Sequence, residues 1–279
     1  MSIVKEFTIP ELSSEEKEKS YSKYYYTKPG KPNDDLLDFL KDVKPMDSSK
    51  ALSIENINDL LNPGYLEQET GYCVMPDGSG YVSVNNKMPG VTIDMVNWWF
   101  AWHALDDLRY KIWWPKGHFF ARVNDEDRKK ILDKNTPITE KFQGITHHVL
   151  EDVGGGKEDI LISFLKPEDT NFDMSRFKSS NVGTLIMANG ISSLHDVPDA
   201  PKIPAVMCHF VREIEGGIEF RSRFWLGYHI INNKPVKLLP PGISVPEVAP
   251  MGLAIHCIEE FSNLREILPS IYEEEKNNW

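Results

Sequence analysis

The chain has 279 residues, of which 41% are hydrophobic and 26% are charged, and this is ordinary for a globular protein of one large domain or two smaller ones. Its net charge of −11 at pH 7 argues against nucleic acid and anionic membranes as partners, because both attract basic surfaces. The three cysteines include no Cys-x-x-Cys pair, which excludes a disulfide framework and a thiolate zinc finger, so a metal ion would need His, Asp or Glu ligands.

The N-terminal part of the chain predicts an arm rather than a targeting segment. The first 19 residues lack the basic-then-apolar order of a signal peptide, and no apolar run reaches membrane-spanning length, so we expect a cytoplasmic protein. Residues 1 to about 60 are polar and charged, and residues 65–89 have the pattern of a β-hairpin. We therefore expect residues 1–90 to form an N-terminal arm and hairpin extension.

A tryptophan-rich helix is predicted after Thr92, a plausible N-cap residue. Met95, Trp98, Trp99 and Trp102 follow at i, i+3, i+4 and i+7, which predicts one buried stripe. The neighbouring His103 is expected to be a core or helix-end histidine. Five tryptophans between residues 98 and 114 are typical either of a heavy aromatic core or of a pocket for a flat aromatic ligand, and composition leaves both open.

His118 follows a loop that contains Pro115 and Gly117. A histidine after such a loop is free to point into a cavity, so His118 is a better metal-ligand candidate than His103. The polar segment after it, residues 125–132, predicts a short helix.

Residues 142–239 have a strand-like pattern without intervening helices, which predicts an antiparallel sheet. Alternation along the first of these strands places His147, Val149 and Glu151 on one face. If that face borders a cavity, the buried carboxylate of Glu151 needs a partner or a metal ion.

A long C-terminal helix is predicted from about Pro250. Its residues His256 and Glu260 are four apart and therefore share one face, where they could form half of a divalent-metal site. Such pairs are also common on solvated helix faces, so the pair alone leaves both interpretations open. A sheet wrapped on this helix would enclose a cavity, and we expect an α+β fold.

An ordered set of motifs resembles one known family, the zinc-dependent carbon–carbon hydrolases that deacylate acylphloroglucinols, which include 2,4-diacetylphloroglucinol hydrolase and phloretin hydrolase. The resemblance runs from about Asn62 to Pro269. The motifs are Trp98-Trp-Phe-Ala-Trp-His103, Arg109-Tyr-Lys-Ile-Trp113, the His118 loop, Glu151-Asp-Val-Gly154, Arg221-Ser-Arg-Phe-Trp-Leu-Gly-Tyr228 and His256-x-x-x-Glu260.

The resemblance implies a helix-grip fold of the Bet v 1/START type for residues 91–279, with an N-terminal helical or irregular extension. It also implies a Zn2+ site in this catalytic domain. Its four ligands would be His118, Glu151, His256 and Glu260.

The resemblance further implies that Tyr110 contacts the phenol oxygens of the substrate. His209 or His147 could transfer a proton, and the other expected substrate-binding residues are Tyr228, Arg223 and Trp102. At Ala121-Arg122 the chain departs from the asparagine that the diacetylphloroglucinol enzyme carries. Ala121 is smaller than that asparagine, which favours a phloretin-type acyl group.

The predicted reaction is hydrolysis of the bond between a phloroglucinol ring and its acyl carbonyl, with zinc polarising the carbonyl or lowering the pKa of a bound water. Two other functions remain open: a non-catalytic helix-grip carrier of a flat phenolic or apolar ligand, and a metal-dependent hydrolase of esters or amides. The polar arm and the surplus of aromatic residues would suit a homodimer. The expected partner is a small molecule of the acylphloroglucinol class.

Overall fold

Alternating side chains build one antiparallel sheet of eight strands in this computed structural model, which describes residues 9–279. The spatial order of the strands is β1-β2-β8-β7-β6-β5-β4-β3. They are β1 (Gly71–Val74), β2 (Gly80–Pro89), β3 (His118–Arg122), β4 (Thr146–Asp152), β5 (Lys157–Leu165), β6 (Val182–Leu194), β7 (Ile203–Ile214) and β8 (Gly217–Leu226). A small separate hairpin consists of β9 (Tyr228–Ile231) and β10 (Lys234–Lys237).

The helices of the described residues are mostly short, except for the last one. They are α1 (Ser14–Lys17), α2 (Asp34–Lys41), α3 (Ile93–Trp102), α4 (Asp107–Lys111), α5 (Asp125–Leu132) and α6 (Val248–Glu275). The prediction of an α+β fold with a large antiparallel sheet and a long C-terminal helix is confirmed. None of the helices in residues 9–279 is long and apolar enough to cross a membrane.

Helix α6 packs on one face of the sheet, which we call the inner face. The largest hydrophobic cluster joins apolar side chains of α6, such as Phe261 and Leu264, to those of α3 and to inner-face residues such as Phe220 and Phe224. Because successive strand residues point to opposite faces, every second residue of β7 and β8 reaches this layer. The inner face and α6 therefore form the walls between which a site can be enclosed.

The outer face of the sheet carries a second hydrophobic cluster. Trp225, Phe210 and Cys208 point to this side and pack against residues of the 3-10 helix Ile54–Leu61. A buried ion triad lies in the same layer, where Glu69 accepts hydrogen bonds from Arg221 at 2.6 Å and from Arg223 at 2.6 Å. The N-terminal part of the chain is thus built into the core on the outer face.

Strands β1 and β2 precede residue 90, the boundary expected between the N-terminal extension and the catalytic domain. They nevertheless belong to the eight-stranded sheet, because β2 pairs along its whole length with β8. Of the expected extension, the described residues 9–70 lie outside the sheet.

Helix α3 begins after Thr92, as predicted, and the Thr92 side chain accepts a hydrogen bond from the Met95 amide. The expectation of one buried stripe is too narrow, since all seven residues from Val96 to Trp102 are buried. The extra burial comes from neighbours on further sides: Tyr21 of the N-terminal arm contacts Trp102, and Tyr272 of α6 contacts Trp98.

We predict that Glu69→Gln destabilises the fold by about 3–5 kcal/mol, because it leaves two buried guanidinium groups without a counter-charge. Burial raises the pKa of Glu69, but the hydrogen bond from Arg221 and the charges of both arginines lower it by more, to about 2. The carboxylate therefore contributes stability above pH 4.5, and this contribution is lost as the pH falls from 4.5 towards 2.

Urea unfolding of the unchanged protein and of Glu69→Gln at pH 7 and at pH 3 measures how much stability the carboxylate contributes. The matched control is Glu67→Gln, whose side chain is 70% exposed. Equal stability of the Glu69 and Glu67 variants would show that the triad has no stabilising role.

Candidate metal centre and cavity

The last two strands at one edge of the sheet, β4 and β3, bring Glu151 and His118 together. His118 opens β3 and is paired directly with Glu151 of β4, so both side chains point to the inner face. Gly117 makes this approach possible, because a Cβ at this position would lie 2.5 Å from the Asp152 carbonyl oxygen. His118 is the first residue of β3 and directly follows the loop that contains Pro115 and Gly117.

Helix α6 supplies the other two side chains. His256 and Glu260 are one turn apart and lie on the same buried face, with 3.8 Å between His256 Nε2 and Glu260 Oε2. The solvated-face interpretation of this pair is therefore wrong. The helix lies over the inner face of the sheet, so its pair meets the pair from β3 and β4.

The ligand atoms of His118, His256 and Glu260 lie within 4.8 Å of one another, and Glu151 lies beside this group, next to His118. His118 Nε2 lies 3.3 Å from His256 Nε2, 3.7 Å from Glu260 Oε2 and 3.7 Å from Glu151 Oε2. Four ligands at about 2.0–2.2 Å from a tetrahedral zinc ion stand about 3.3–3.6 Å apart. The spacing fits such an ion, and His118, His256 and Glu260 could hold a divalent metal by themselves.

The orientations of the two histidines also suit a metal, although only His118 is held by a hydrogen bond and His256 Nδ1 has no hydrogen-bond partner among residues 9–279. His118 Nδ1 lies 3.2 Å from the Tyr110 carbonyl oxygen, and because a carbonyl only accepts, the nitrogen carries the proton. This assignment leaves a lone pair on Nε2, the atom that faces the other ligands. His256 likewise directs Nε2 into the group.

The four side chains are buried without a basic residue to balance the carboxylates. Among residues 9–279, the ion-pair partners of Glu151 and Glu260 are histidines only. Burial raises the pKa of Glu151 to about 7, and burial together with Glu151 raises the pKa of Glu260 well above its usual value. Burial also lowers the pKa of His256 to about 3. Such a group favours a cation that can replace the protons.

Tyr110 connects this group to the aromatic wall of a cavity. Its hydroxyl donates a hydrogen bond to Glu151, and its ring stacks on the ring of His118 with 3.9 Å between centroids and an angle of 3°. On its other side Tyr110 stacks on His103 at 5.8 Å. Burial, followed by the charge of Glu151, raises the pKa of the Tyr110 hydroxyl well above 10, so it stays protonated.

The cavity extends from the metal-ligand group between α6 and the sheet. Glu151, His256, Glu260 and Tyr110 border one part of it. Three further histidines, His103, His147 and His209, also border it. The apolar lining residues are Phe100, Trp113, Val149, Ile162, Phe164, Met207, Phe224 and Leu253.

The cavity volume is about 60 Å³. A cavity that holds a benzene ring has about 150 Å³, so a ring can enter only if lining side chains move. Ile162, Met207 and Leu253 are partly exposed, and they therefore mark the opening to solvent. Met207 has three rotatable side-chain bonds and can change its shape readily.

Two of the histidines along the cavity are held by one hydrogen bond each. His103 Nδ1 donates to the Trp99 carbonyl oxygen at 2.9 Å, as expected for a helix-end histidine. His209 Nδ1 lies 2.8 Å from Ser222 Oγ, its cross-strand neighbour. Burial lowers the pKa of His103 to about 4 and that of His209 to about 3, so both are neutral at pH 7.

Three predicted substrate-binding residues do not border the cavity. Arg223 lies on the outer face with Glu69, because alternation in β8 turns Phe224 inward instead. Tyr228 belongs to the separate β9–β10 hairpin, and its hydroxyl donates to Asp77 at 2.8 Å.

Trp102 ends α3 on the side away from the cavity. Its indole nitrogen donates to the Asn278 carbonyl oxygen at 2.9 Å, and the Arg109 guanidinium lies 4.0 Å from its ring. None of the three is in position to contact a ligand held by the four-residue group.

Sequence reasoning missed several cavity residues. Trp113, Phe100 and Phe224 entered the sequence analysis only as parts of longer motifs, and neither Met207 nor Leu253 was predicted to border the cavity. Alternation was a usable signal for Met207, which lies two residues from His209 on the same face of β7. For Leu253, three residues before His256, helical spacing was the corresponding signal.

Comparison with known proteins gives one consistent family. Residues 52–273 match the family described as the DAPG hydrolase PhiG domain. The chain is 37% identical over 271 residues to phloretin hydrolase of Eubacterium ramulus, covering 96% of this chain and 94% of that protein. It is 28% identical to a 2,4-diacetylphloroglucinol hydrolase of a Pseudomonas species, covering 92% and 88% of the two chains.

Solved structures give weaker likenesses. A protein from Chromobacterium violaceum has a TM-score of 0.35 and 14% identity, and the match covers 70% of this chain and 99% of that one.

We predict that His256→Ala lowers the affinity for a divalent ion at least about 100-fold, since even a residue that only orients a ligand contributes 10–100-fold. Titration with Zn2+ in competition with a chromophoric chelator measures this affinity. His148→Ala is the matched control, because His148 is exposed on the opposite face of β4. Equal affinity of both variants and the unchanged protein would rule out the four-residue site.

Proposed function

Because this chain belongs to the DAPG hydrolase PhiG domain family, we propose that it hydrolyses the carbon–carbon bond between a phloroglucinol ring and its acyl group. The observation that carries the proposal is the group of His118, His256 and Glu260, with Glu151 beside His118, at one part of an aromatic, histidine-lined cavity. A carrier of flat ligands has no need for this group.

We propose zinc as the ion that these four residues bind. Two imidazole nitrogens and two carboxylates match the kinds of ligand that Zn2+ takes in proteins. When bound, zinc supplies Lewis acidity towards a carbonyl oxygen and water that reacts at neutral pH. The residues of the chain then have to orient the ring, exclude bulk water and move one proton.

The reaction needs one water molecule and one proton transfer. The acyl carbon gains a bond to the water oxygen and loses its bond to the ring, while the ring carbon gains a hydrogen atom. The products are a phloroglucinol and a carboxylic acid. A proton must therefore travel from the water to the ring carbon within the cavity.

We assign the supporting roles to Tyr110 and His209. The Tyr110 hydroxyl donates its hydrogen bond to Glu151 and borders the cavity, so its oxygen can accept a hydrogen bond from a hydroxyl of the phenolic ring. His209 is neutral and anchored to Ser222 through Nδ1. A neutral imidazole can accept a proton at one nitrogen and release one from the other, which suits a proton relay.

We further propose a phloretin-type substrate, whose acyl group is an aryl-propionyl chain. The higher identity to phloretin hydrolase, 37% against 28%, supports this choice. Ala121, the position that suggested it from sequence, is buried opposite Val149 and does not itself border the cavity.

The finer description of the fold is also a proposal. We propose that residues 91–279 form the main part of a helix-grip catalytic domain, whose antiparallel sheet also includes β1 and β2 and packs against α6. A cytoplasmic location and a homodimer stay predictions from the sequence.

We expect the zinc-loaded protein to release phloretic acid and phloroglucinol from phloretin, and to act more slowly on diacetylphloroglucinol. Glu260→Gln should lower kcat at least about 100-fold, equivalent to about 2.7 kcal/mol. Chromatography of the products measures the preference between the two substrates and the effect of Glu260→Gln on kcat. Binding without acid release would support the carrier, and faster cleavage of a phenolic ester than of the aryl ketone would support the ester hydrolase.

We expect Tyr110→Phe to lower kcat/KM about 10–100-fold, because it removes a buried hydroxyl that hydrogen-bonds the substrate. Zinc content should not change, since the hydroxyl is not a ligand of the proposed site. Tyr26→Phe is the control, as the Tyr26 side chain is 51% exposed. Unchanged kinetics in Tyr110→Phe would exclude the orienting role.

A further inference from the structure

His147 is a buried histidine whose ring has no partner. The residue is 1% exposed, and neither Nδ1 nor Nε2 has a hydrogen-bond partner among residues 9–279. Buried polar atoms are nearly always hydrogen-bonded, so an unpaired ring that borders a cavity points to a ligand that completes it.

The two other cavity histidines outside the metal-ligand group differ from His147 in this respect. His103 is held by the Trp99 carbonyl oxygen and His209 by the Ser222 hydroxyl. His147 has only ring neighbours, with Phe164 at 4.7 Å and His103 at 5.1 Å between centroids. Its polar atoms are therefore free for a ligand.

The charge state of His147 decides what kind of ligand group it accepts. Burial, followed by the charge of His103, holds the pKa of His147 well below its usual value, so the ring is neutral. A neutral imidazole has one N–H donor and one lone pair. A hydroxyl group, which can donate and accept, is complementary to such a ring, whereas an anion or an ammonium group matches only one of its two atoms.

The position of His147 along β4 selects which hydroxyl it reaches. His147 and Glu151 both point to the inner face and are four residues apart, about 13 Å along an extended strand. A ligand whose acyl carbonyl lies at the metal-ligand group therefore extends its ring towards His147. The ring substituent farthest from the acyl carbon is the one in the para position.

We propose that His147 hydrogen-bonds the ring hydroxyl para to the acyl group and makes the protein selective for acylated rings that carry this hydroxyl. This proposal rests on the proposed function and names the substrate feature that the site recognises. A site built to bond a hydroxyl rejects the analogue without it, since its own polar atoms would otherwise remain unpaired.

The test compares 2,4,6-trihydroxyacetophenone with 2,6-dihydroxyacetophenone, which lacks the para hydroxyl. Binding to the zinc-loaded protein is followed by stopped-flow tryptophan fluorescence before turnover, since Trp113 borders the cavity. We expect the unchanged protein to bind the trihydroxy compound at least about 10-fold more tightly. In His147→Phe this ratio should fall to about 1.

The matched control is His148→Phe, which alters the next residue on the exposed face and should keep the full ratio. Thermal unfolding identifies a variant that does not fold, in which case His147→Leu takes its place. A ratio near 1 in the unchanged protein, or a full ratio in folded His147→Phe, would overturn the proposal.

Product analysis separates this proposal from the proposed function. If acid is released but the ratio does not depend on His147, the subsite is wrong and the hydrolase stands. If no acid is released but the ratio depends on His147, the subsite is correct and the hydrolase is wrong.

Discussion

The burial of two carboxylates beside two imidazoles is the constraint on which the rest of the structure depends. Glu151 and Glu260 are within 4 Å of His118 and have no basic partner among the described residues. Such a group is unfavourable in a protein interior unless a cation compensates it. Two rigid elements hold it in place: the β3–β4 pair sets His118 opposite Glu151, and α6 fixes His256 and Glu260 on one face.

The packing on both faces of the sheet supports this arrangement. On the inner face, α3 and α6 enclose the cavity with aromatic side chains, and its polar contacts are histidines, Tyr110 and the two glutamates of the metal-ligand group. On the outer face, the segment before β1 covers the sheet and pairs Glu69 with Arg221 and Arg223. The charged residues of the sheet are thereby divided: those on the outer face stabilise the fold, and those on the inner face are available for chemistry.

Alternation in the strands decided which predictions of site residues fit the structure. His147 and Glu151 were expected on one face of β4, and both border the cavity. Arg223 was expected in the site because its motif resembles the family's. It is adjacent to Phe224 in β8, so its side chain points to the opposite face. A motif marks a stretch of chain as informative, whereas only the phase of the strand says which of its side chains reach the ligand.

The sequence by itself determined the fold class, the long terminal helix, the spacing of His256 and Glu260, and the exclusion of thiolate ligands, because these follow from local periodicity and composition. Tertiary structure decided the rest. The pairing of His118 with Glu151 depends on the register between β3 and β4, which joins two residues 33 positions apart in the chain. The positions of Trp102 and Tyr228 away from the cavity depend on long-range packing. Such contacts join residues distant in the chain, and no local pattern records them.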